Sequence, residues 1–294
     1  MNTPWKLLDL LNEASGFFAS RGIENPRLQA ELLLAATVGM KRLDLYLQFE
    51  RTVVEDEVAR FRGYVRKRLA GVPVQYITGT ASFRLLELEV SESVLIPRPE
   101  TEVLVDCALE FLAARENPTV LDLGCGSGAI AVSIAHEKPS ARVTAVDIDR
   151  DSLMTTGRNA AACGVGGRLH IARSDLLSAF APCGHFQALV CNPPYIPSAE
   201  IGQLDEEVRD FEPRLALDGG PDGLDFYRRL AVSAGSVLAP DGALLLEVGD
   251  GQASEVSGIL EESGDFTTVG VRPDLAGTPR VVLARHSAAV ARSA

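Results

Sequence analysis

The strongest constraint on the fold is an alternation of buried strands with helices between residues 117 and 285. Seven apolar segments have the length of strands: residues 119–123, 142–147, 168–172, 186–191, 242–248, 266–271 and 279–285. Apolar residues at helical spacing lie between most of them, at 127–138, 150–163, 223–239 and 251–263. Because strands that alternate with helices form a parallel sheet covered on both faces, the sequence predicts an α/β fold. Only a loop separates the last two strands, so one of them is expected to be antiparallel.

The first 75 residues follow a different pattern. Apolar residues at helical spacing predict helices at 5–20, 26–38 and 54–70, and Gly71 and Pro73 then end the helical pattern. Short strands are predicted at 74–77, 86–90 and 94–96, followed by a helix at about 100–115. We therefore expect a helical domain at 1–72, a linking β-hairpin at 73–98, the α/β domain at 99–285 and a disordered tail at 286–294.

Charge and cysteine content argue against several classes of protein. The chain has 294 residues with 28 Lys and Arg against 40 Asp and Glu, a net charge of −12, and residues 76–294 alone carry −14. A basic surface for nucleic acid is therefore not expected. The sequence shows neither an apolar run of roughly 18–20 residues nor the apolar core of a signal peptide. The five cysteines are scattered without zinc-site spacing, so we expect reduced thiols, no metal, no membrane and a cytoplasmic location.

A glycine-rich loop joins the first strand of the α/β region to its helix. In the run from Thr119 to Gly128, TVLDLGCGSG, the glycines allow positive φ angles and a close approach of the backbone to a ligand. Asp147 ends the next strand, where its carboxylate can accept both hydroxyl groups of a ribose. The spacing also fits the NAD fingerprint, which leaves an oxidoreductase or a non-catalytic nucleotide-binding protein open. Asp122 argues against NAD, because a carboxylate there suits a cationic amine better than a pyrophosphate. The loop resembles that of class I S-adenosylmethionine (SAM) methyltransferases.

A second motif, Asn192-Pro193-Pro194-Tyr195, follows the fourth strand. Ligands of open α/β sheets bind at the carboxyl ends of the strands. The two prolines remove N–H donors and leave carbonyl oxygens on a stiff turn. The Asn192 side-chain oxygen and the Pro193 carbonyl can both accept from one planar NH₂ group, on which Tyr195 can stack. Such a site suits an amine conjugated to a ring or a carbonyl, and it favours the positively charged transition state of its methylation.

Further segments narrow the choice of family. The chain contains PVQYI at 73–77, LIPRPETE at 95–102, FEPR at 211–214 and ALDGGPDGL at 216–224. Together with Asn-Pro-Pro-Tyr, these segments resemble the peptide chain release factor glutamine methyltransferases (PrmC/HemK) over about residues 5–285. The resemblance implies the Rossmann-like seven-stranded sheet of class I SAM methyltransferases, with a small all-helical N-terminal domain for substrate recognition and a linking β-hairpin. It also implies SAM-dependent N5-methylation of the glutamine in the Gly-Gly-Gln motif of class 1 release factors. Direct in-line transfer would leave S-adenosylhomocysteine as the product.

The resemblance also assigns roles to individual residues. The methionine part of SAM would lie on the loop, the ribose on Asp147, and the adenine between Asp175 and Leu176. The full set of expected SAM-binding residues is Asp122, Gly124, Cys125, Gly126, Ser127, Gly128, Asp147, Asp175, Leu176 and Asn192. The glutamine amide would be bound by Asn192, Pro193, Pro194 and Tyr195, with Asn192, Pro193 and Tyr195 as the catalytic residues.

Two points stay open in the sequence. An adenine amino group fits the same chemistry, so a nucleic-acid (adenine N6) methyltransferase is the alternative, although phosphate neutralisation would need more Lys and Arg. Glu247, at the end of the fifth strand, either supports the site through a hydrogen bond or is a plain polar strand end. The expected partners are class 1 release factors, without stable nucleic acid, and the expected state is a monomer.

Overall fold

A computed structural model describes residues 4–287, apart from the side chains of residues 268 and 269. The chain divides into two compact units. The first runs to Thr80 and includes Asp205–Phe211, and the second contains Ala81–Leu204 and the residues from Glu212 onward.

The first unit is helical. Its helices are α1 (Leu7–Ser20), α2 (Pro26–Val38), α3 (Arg42–Leu47), α4 (Glu55–Leu69), α5 (Val74–Thr78) and, later in the chain, α9 (Glu206–Phe211). Leucines and phenylalanines from α1, α2 and α4, among them Leu11, Phe18, Leu33 and Phe61, are buried together in one core. The helices predicted at 5–20, 26–38 and 54–70 are confirmed. The short helices α3 and α9 were not predicted, because six residues carry too little periodicity to be seen.

The strand predicted at 74–77 is wrong, because these residues form α5. Pro73 precedes the helix, and Gly79 ends it with a φ of +78°. Val74 and Ile77 are both buried in the core of the first unit. Residues three apart share one face of a helix but not of a strand, so packing outweighs the β propensity of Val, Tyr and Ile.

The second unit begins with a two-stranded hairpin, β1 (Thr80–Phe83) and β2 (Leu86–Glu89). The strand predicted at 94–96 is also wrong, since no strand is found there in the described residues. Val94 and Ile96 are buried while Leu95 is half-buried, so the segment has the burial alternation of a strand without belonging to a sheet. Helix α6 (Pro99–Leu112) follows it.

A seven-stranded sheet forms the centre of the second unit. Its strands are β3 (Thr119–Leu123), β4 (Arg142–Asp147), β5 (Leu169–Arg173), β6 (Phe186–Cys191), β7 (Leu238–Glu247), β8 (Phe266–Pro273) and β9 (Pro279–His286). Their order is β5-β4-β3-β6-β7-β9-β8. The strands β3 to β7 pair in parallel, whereas β9 is antiparallel to both of its neighbours, as expected for one of the last two strands.

The end of β9 corrects the predicted start of the tail. His286 belongs to the strand, and the backbone N–H of Ser287 donates to the carbonyl of Asp265 (2.9 Å). The prediction of disorder from residue 286 is therefore wrong for these two residues, and residues 288–294 lie outside the described part.

Helices cover both faces of the sheet, as the sequence predicted. Besides α6, they are α7 (Ala129–Glu137), α8 (Arg150–Ala162), α10 (Asp225–Ser233) and α11 (Ala253–Glu262). Side chains alternate along each strand, so Val120 packs with α6 and α7 while Leu121 packs with α10 and α11. No helix in the described part of the chain is long and apolar enough to cross a membrane.

Candidate active site

A cavity of about 390 Å³ lies at the carboxyl ends of the central strands. Its wall includes the loop after β3, the end of β4, the loop after β5 and the turn after β6. The strand order brings these four segments together at one edge of the sheet. Ligands of parallel sheets bind at this edge. The segment at 93–98, the residues at 213–216, Ile148 and Phe226 also line it. The expected SAM- and glutamine-binding residues do not include these, although two of the segments lie in or next to the motifs LIPRPETE and FEPR.

The glycine loop forms one wall. Gly124, Gly126 and Gly128 have φ angles of +71°, +52° and +82°, which disfavour any residue with a Cβ. A Cβ on Gly128 would lie 3.0 Å from Thr156 Cγ2, whereas one on Gly124 or Gly126 would meet nothing within 4 Å. The loop is held from behind, since the N–H groups of Gly124 and Cys125 both donate to the Val146 carbonyl at 2.9 Å. The backbone is therefore rigid and open towards the cavity.

Asp147 lies beside this loop at the end of β4. Its Oδ2 accepts from the Gly126 N–H and its Oδ1 from the Asp149 N–H, each at 2.9 Å. Burial raises the pKa of the carboxyl, and these two hydrogen bonds oppose the rise. Each oxygen keeps a second lone pair for a ligand hydroxyl.

Asp122 occupies a different position. The side chain is fully buried and does not line the cavity. Its Oδ2 accepts from the Ala131 N–H (3.0 Å) in the first turn of α7, while Oδ1 is buried without a hydrogen-bond partner. Burial raises the pKa of this carboxyl to about 7. Direct contact between Asp122 and a ligand stays a prediction.

Asp175 and Leu176 line the cavity after β5. Leu176 has a φ of +47°, and its carbonyl accepts from the Ser174 hydroxyl (2.7 Å). Asp175 accepts from Arg229 of α10 (2.6 Å). Leu176, Ile148 and Leu215 give this end of the cavity an apolar surface.

The Asn-Pro-Pro-Tyr turn forms another part of the cavity wall through Asn192, Pro193 and Pro194. Tyr195 is not among the lining residues and instead packs against the core beneath α10 and α11. Burial raises the pKa of its hydroxyl to about 12. The predicted stacking of Tyr195 on a substrate stays a prediction.

Two glycines, which we call the glycine clamp (Gly219 and Gly223), lie against this turn. A Cβ on Gly219 would lie 2.8 Å from both the Pro194 carbonyl oxygen and Tyr195 Cα, and one on Gly223 would lie 2.3 Å from the Tyr195 carbonyl oxygen. The Gly219 N–H donates to the carbonyl of Ile196 (2.9 Å). The glycines of ALDGGPDGL therefore let a second backbone support the turn, a role that the sequence motif did not disclose.

The residues present fit SAM. The open glycine loop offers backbone groups to its methionine part, and Asp147 offers acceptors to its ribose. Among the described residues, no group of three or more His, Cys, Asp or Glu side chains could hold a metal ion.

Comparison with known proteins is consistent with this geometry. The PrmC N-terminal domain family matches residues 9–79, and the methyltransferase small domain family matches residues 101–205. The chain is 46% identical to the release factor glutamine methyltransferase of Chlorobaculum tepidum, over 92% of this chain and 94% of that protein. It is 42% identical to that of Geobacter sulfurreducens, over 95% and 96%. The fold is similar to the crystal structure of a methyltransferase from Pyrococcus furiosus (TM-score 0.50, 16% identity, covering 80% of this chain and all of that one).

Proposed function

Because this chain belongs to the release factor glutamine methyltransferase family and is a SAM-dependent protein-glutamine methyltransferase, we propose that it methylates N5 of the glutamine in the Gly-Gly-Gln motif of class 1 release factors. The methyl group passes directly to the amide nitrogen, without a covalent intermediate on the enzyme.

One observation carries the proposal. The Nδ2 of Asn192 donates to the hydroxyl of Thr101 (3.1 Å), so Oδ1 is the side-chain atom of Asn192 that can accept from a substrate. Together with the Pro193 carbonyl on the same cavity wall, it supplies two acceptors for the two hydrogens of one amide NH₂. A glutamine side chain offers that group, with its nitrogen lone pair delocalised into the carbonyl.

The two acceptors act most strongly in the transition state. When bound, SAM supplies an activated methyl group on its sulfonium. Asn192 and Pro193 hold both amide N–H groups and thereby orient the nitrogen. Positive charge develops on that nitrogen during transfer, so both hydrogen bonds strengthen in the transition state. The methylated nitrogen is acidic and loses its proton afterwards, so no general base is needed.

We further propose that the helical first unit recognises the release factor. The support comes from α3 and the loop after it, where Leu43 and Leu47 are 70% and 73% exposed and Tyr46 and Phe49 are also exposed. Contiguous exposed apolar side chains of this kind mark surfaces that contact other proteins.

Peptide-resolved mass spectrometry tests the proposal. A purified class 1 release factor is incubated with the protein and SAM, and one added methyl group is expected on the Gly-Gly-Gln glutamine. A release factor with that glutamine replaced by glutamate controls for other sites, and Asn192→Ala controls for the enzyme. DNA and RNA substrates are offered in parallel. Methylation of nucleic acid, with an unmodified release factor, would replace this proposal with the adenine N6 alternative.

A further inference from the structure

The register of β6 and β7 brings Asn192 and Glu247 together. These parallel strands pair Cys191 with Leu246. The residues that follow them, Asn192 and Glu247, therefore lie next to each other at the same edge of the sheet. Side chains alternate along both strands, and Val190 and Leu245 lie on the side of α6. Asn192 and Glu247 therefore also face α6. The sequence separates the two residues widely, and only the strand order makes them neighbours.

Thr101, in the first turn of α6, completes the cluster. It is 4% exposed, and its hydroxyl accepts from Asn192 Nδ2 at 3.1 Å. The carboxyl of Glu247 adjoins both side chains, since side-chain hydrogen bonding by Thr101 and Asn192 opposes the rise in its pKa that burial causes. The three side chains thus form one network, in which Asn192 and Thr101 act as donors and Glu247 as the final acceptor.

The burial of Glu247 at this position reduces the stability of the folded protein. It is 1% exposed, and its Oε2 is buried without a hydrogen-bond partner. Among the described residues it makes no ion pair, and the guanidinium of nearby Arg280 is bound to Asp274 (3.0 Å). A buried carboxyl with an unsatisfied oxygen reduces stability, so a plain structural role does not explain it.

The network has two effects on Asn192. First, a Thr101 hydroxyl that donates to the Glu247 carboxylate has only lone pairs left for Asn192, so the hydroxyl and the carboxylate both bind Nδ2, and Oδ1 is the acceptor that remains for a ligand. A reversed amide would point N–H groups at the N–H groups of the substrate. Second, donation towards a carboxyl polarises the amide and makes its oxygen a stronger acceptor, because hydrogen bonds in a chain reinforce one another.

We propose that Glu247 and Thr101 are positioning residues that fix the Asn192 amide and strengthen its Oδ1 as the acceptor for the glutamine nitrogen. This inference rests on the function proposed above. Of the two alternatives left open for Glu247, it favours support for the site.

The test compares variants that differ only in the network. Thr101→Val removes the hydroxyl while keeping the shape, and Thr101→Ser keeps the hydroxyl. The matched control is Thr37→Val in the first unit, because Thr37 is also buried and its hydroxyl donates to the Leu33 carbonyl (2.7 Å). For each variant, kcat is measured at saturating release factor and SAM, and SAM affinity is measured by calorimetry.

We expect Thr101→Val to lower kcat by about 10- to 100-fold, less than the roughly 100- to 1,000-fold for losing a preorganised hydrogen bond to the reacting atoms, because Thr101 acts through Asn192. SAM affinity should change less than about threefold. Thr101→Ser should restore kcat to within about threefold of the wild type, and Glu247→Gln should lower it. Thr37→Val should keep full kcat, since a general loss of stability would not affect turnover selectively.

The outcomes separate this inference from the proposed function. If the wild type methylates the release factor and Thr101→Val does so with undiminished kcat, the inference alone fails. It also fails if Thr101→Ser is as slow as Thr101→Val, because the hydroxyl is then irrelevant. If the wild type leaves the release factor unmodified, the proposed function fails and this inference with it.

Discussion

The glycine clamp gives a prediction whose size follows from the coordinates. The backbone of Gly219 does not have a positive φ, so Gly219→Ala adds a methyl group without forcing a strained conformation. That Cβ would lie 2.8 Å from two backbone atoms of the Asn-Pro-Pro-Tyr turn, about 0.6 Å inside the 3.4 Å at which ordinary contact begins. Neither atom belongs to a flexible side chain. Either the turn or the backbone at Gly219, which supports it, must therefore move by about half an ångström.

The displacement should reduce both stability and turnover. Overpacking of this kind costs about 1–3 kcal/mol, which in a protein of this size lowers the melting temperature by about 2–10 °C. A displacement of about 1 Å at a reacting centre can cost about 100-fold in rate, so half of that predicts a loss of about 10-fold in kcat. SAM affinity should change little, because the glycine loop lies on another strand.

Melting curves and steady-state methyl transfer measure the two effects. The control is Gly258→Ala in α11, where a Cβ would meet nothing within 4 Å and alanine favours the helix. Gly258→Ala should keep the wild-type kcat and melt at the same or a higher temperature. If Gly219→Ala matches the wild type in both measurements, the close approach of the two backbones does not position the turn.

Three further predictions concern single side chains. Asn192→Ala should lower kcat at least about 100-fold, because it removes an acceptor for the reacting nitrogen, and calorimetry should find a smaller effect on SAM affinity; near-full activity would exclude this role. Asp147→Ala should weaken SAM binding by about 10-fold or more in the same calorimetric assay, and unchanged affinity would contradict the ribose contact. The third concerns pH: burial raises the pKa of Asp122 to about 7 from the ordinary 3.8 of an aspartate. Between these values the folded state binds more protons than the unfolded chain, so stability falls as pH rises through this range. Asp122→Asn should therefore flatten the decrease in melting temperature between about pH 4 and about pH 7, and an unchanged slope would refute the assignment.

Much of the sheet could be predicted because its signals are local. Strands β3, β4 and β6 were predicted with the bounds observed, since each is a short buried run between turn residues. The prediction of a strand at 74–77 was wrong. Val, Tyr and Ile favour strands, whereas the helix that forms depends on packing into a core made by distant residues. Local propensity carries no information about that core.

In the site, too, features set by the local sequence could be predicted, and those set by tertiary packing could not. The glycine loop, Asp147 and the turn at Asn192 could be found because a motif places chemistry within a few residues. The glycine clamp and the contact between Asn192 and Thr101 could not, because they join segments brought together only by strand order and helix packing. Tyr195 shows a further limit, since the sequence does not reveal on which side of the turn a side chain packs.

The return of residues 205–211 to the first unit affects how the protein can be dissected. The polypeptide passes between the units three times, after Thr80, after Leu204 and after Phe211. The buried guanidinium of Arg68 bonds to Glu207 of α9, so this late segment is anchored in the helical unit. A fragment that starts at Ala81 would still carry α9 but would lack Arg68, to which Glu207 is bonded. Deleting the helical unit would therefore damage a loop that begins ten residues after the Asn-Pro-Pro-Tyr turn, and point substitutions on α3 are the sounder way to separate recognition from catalysis.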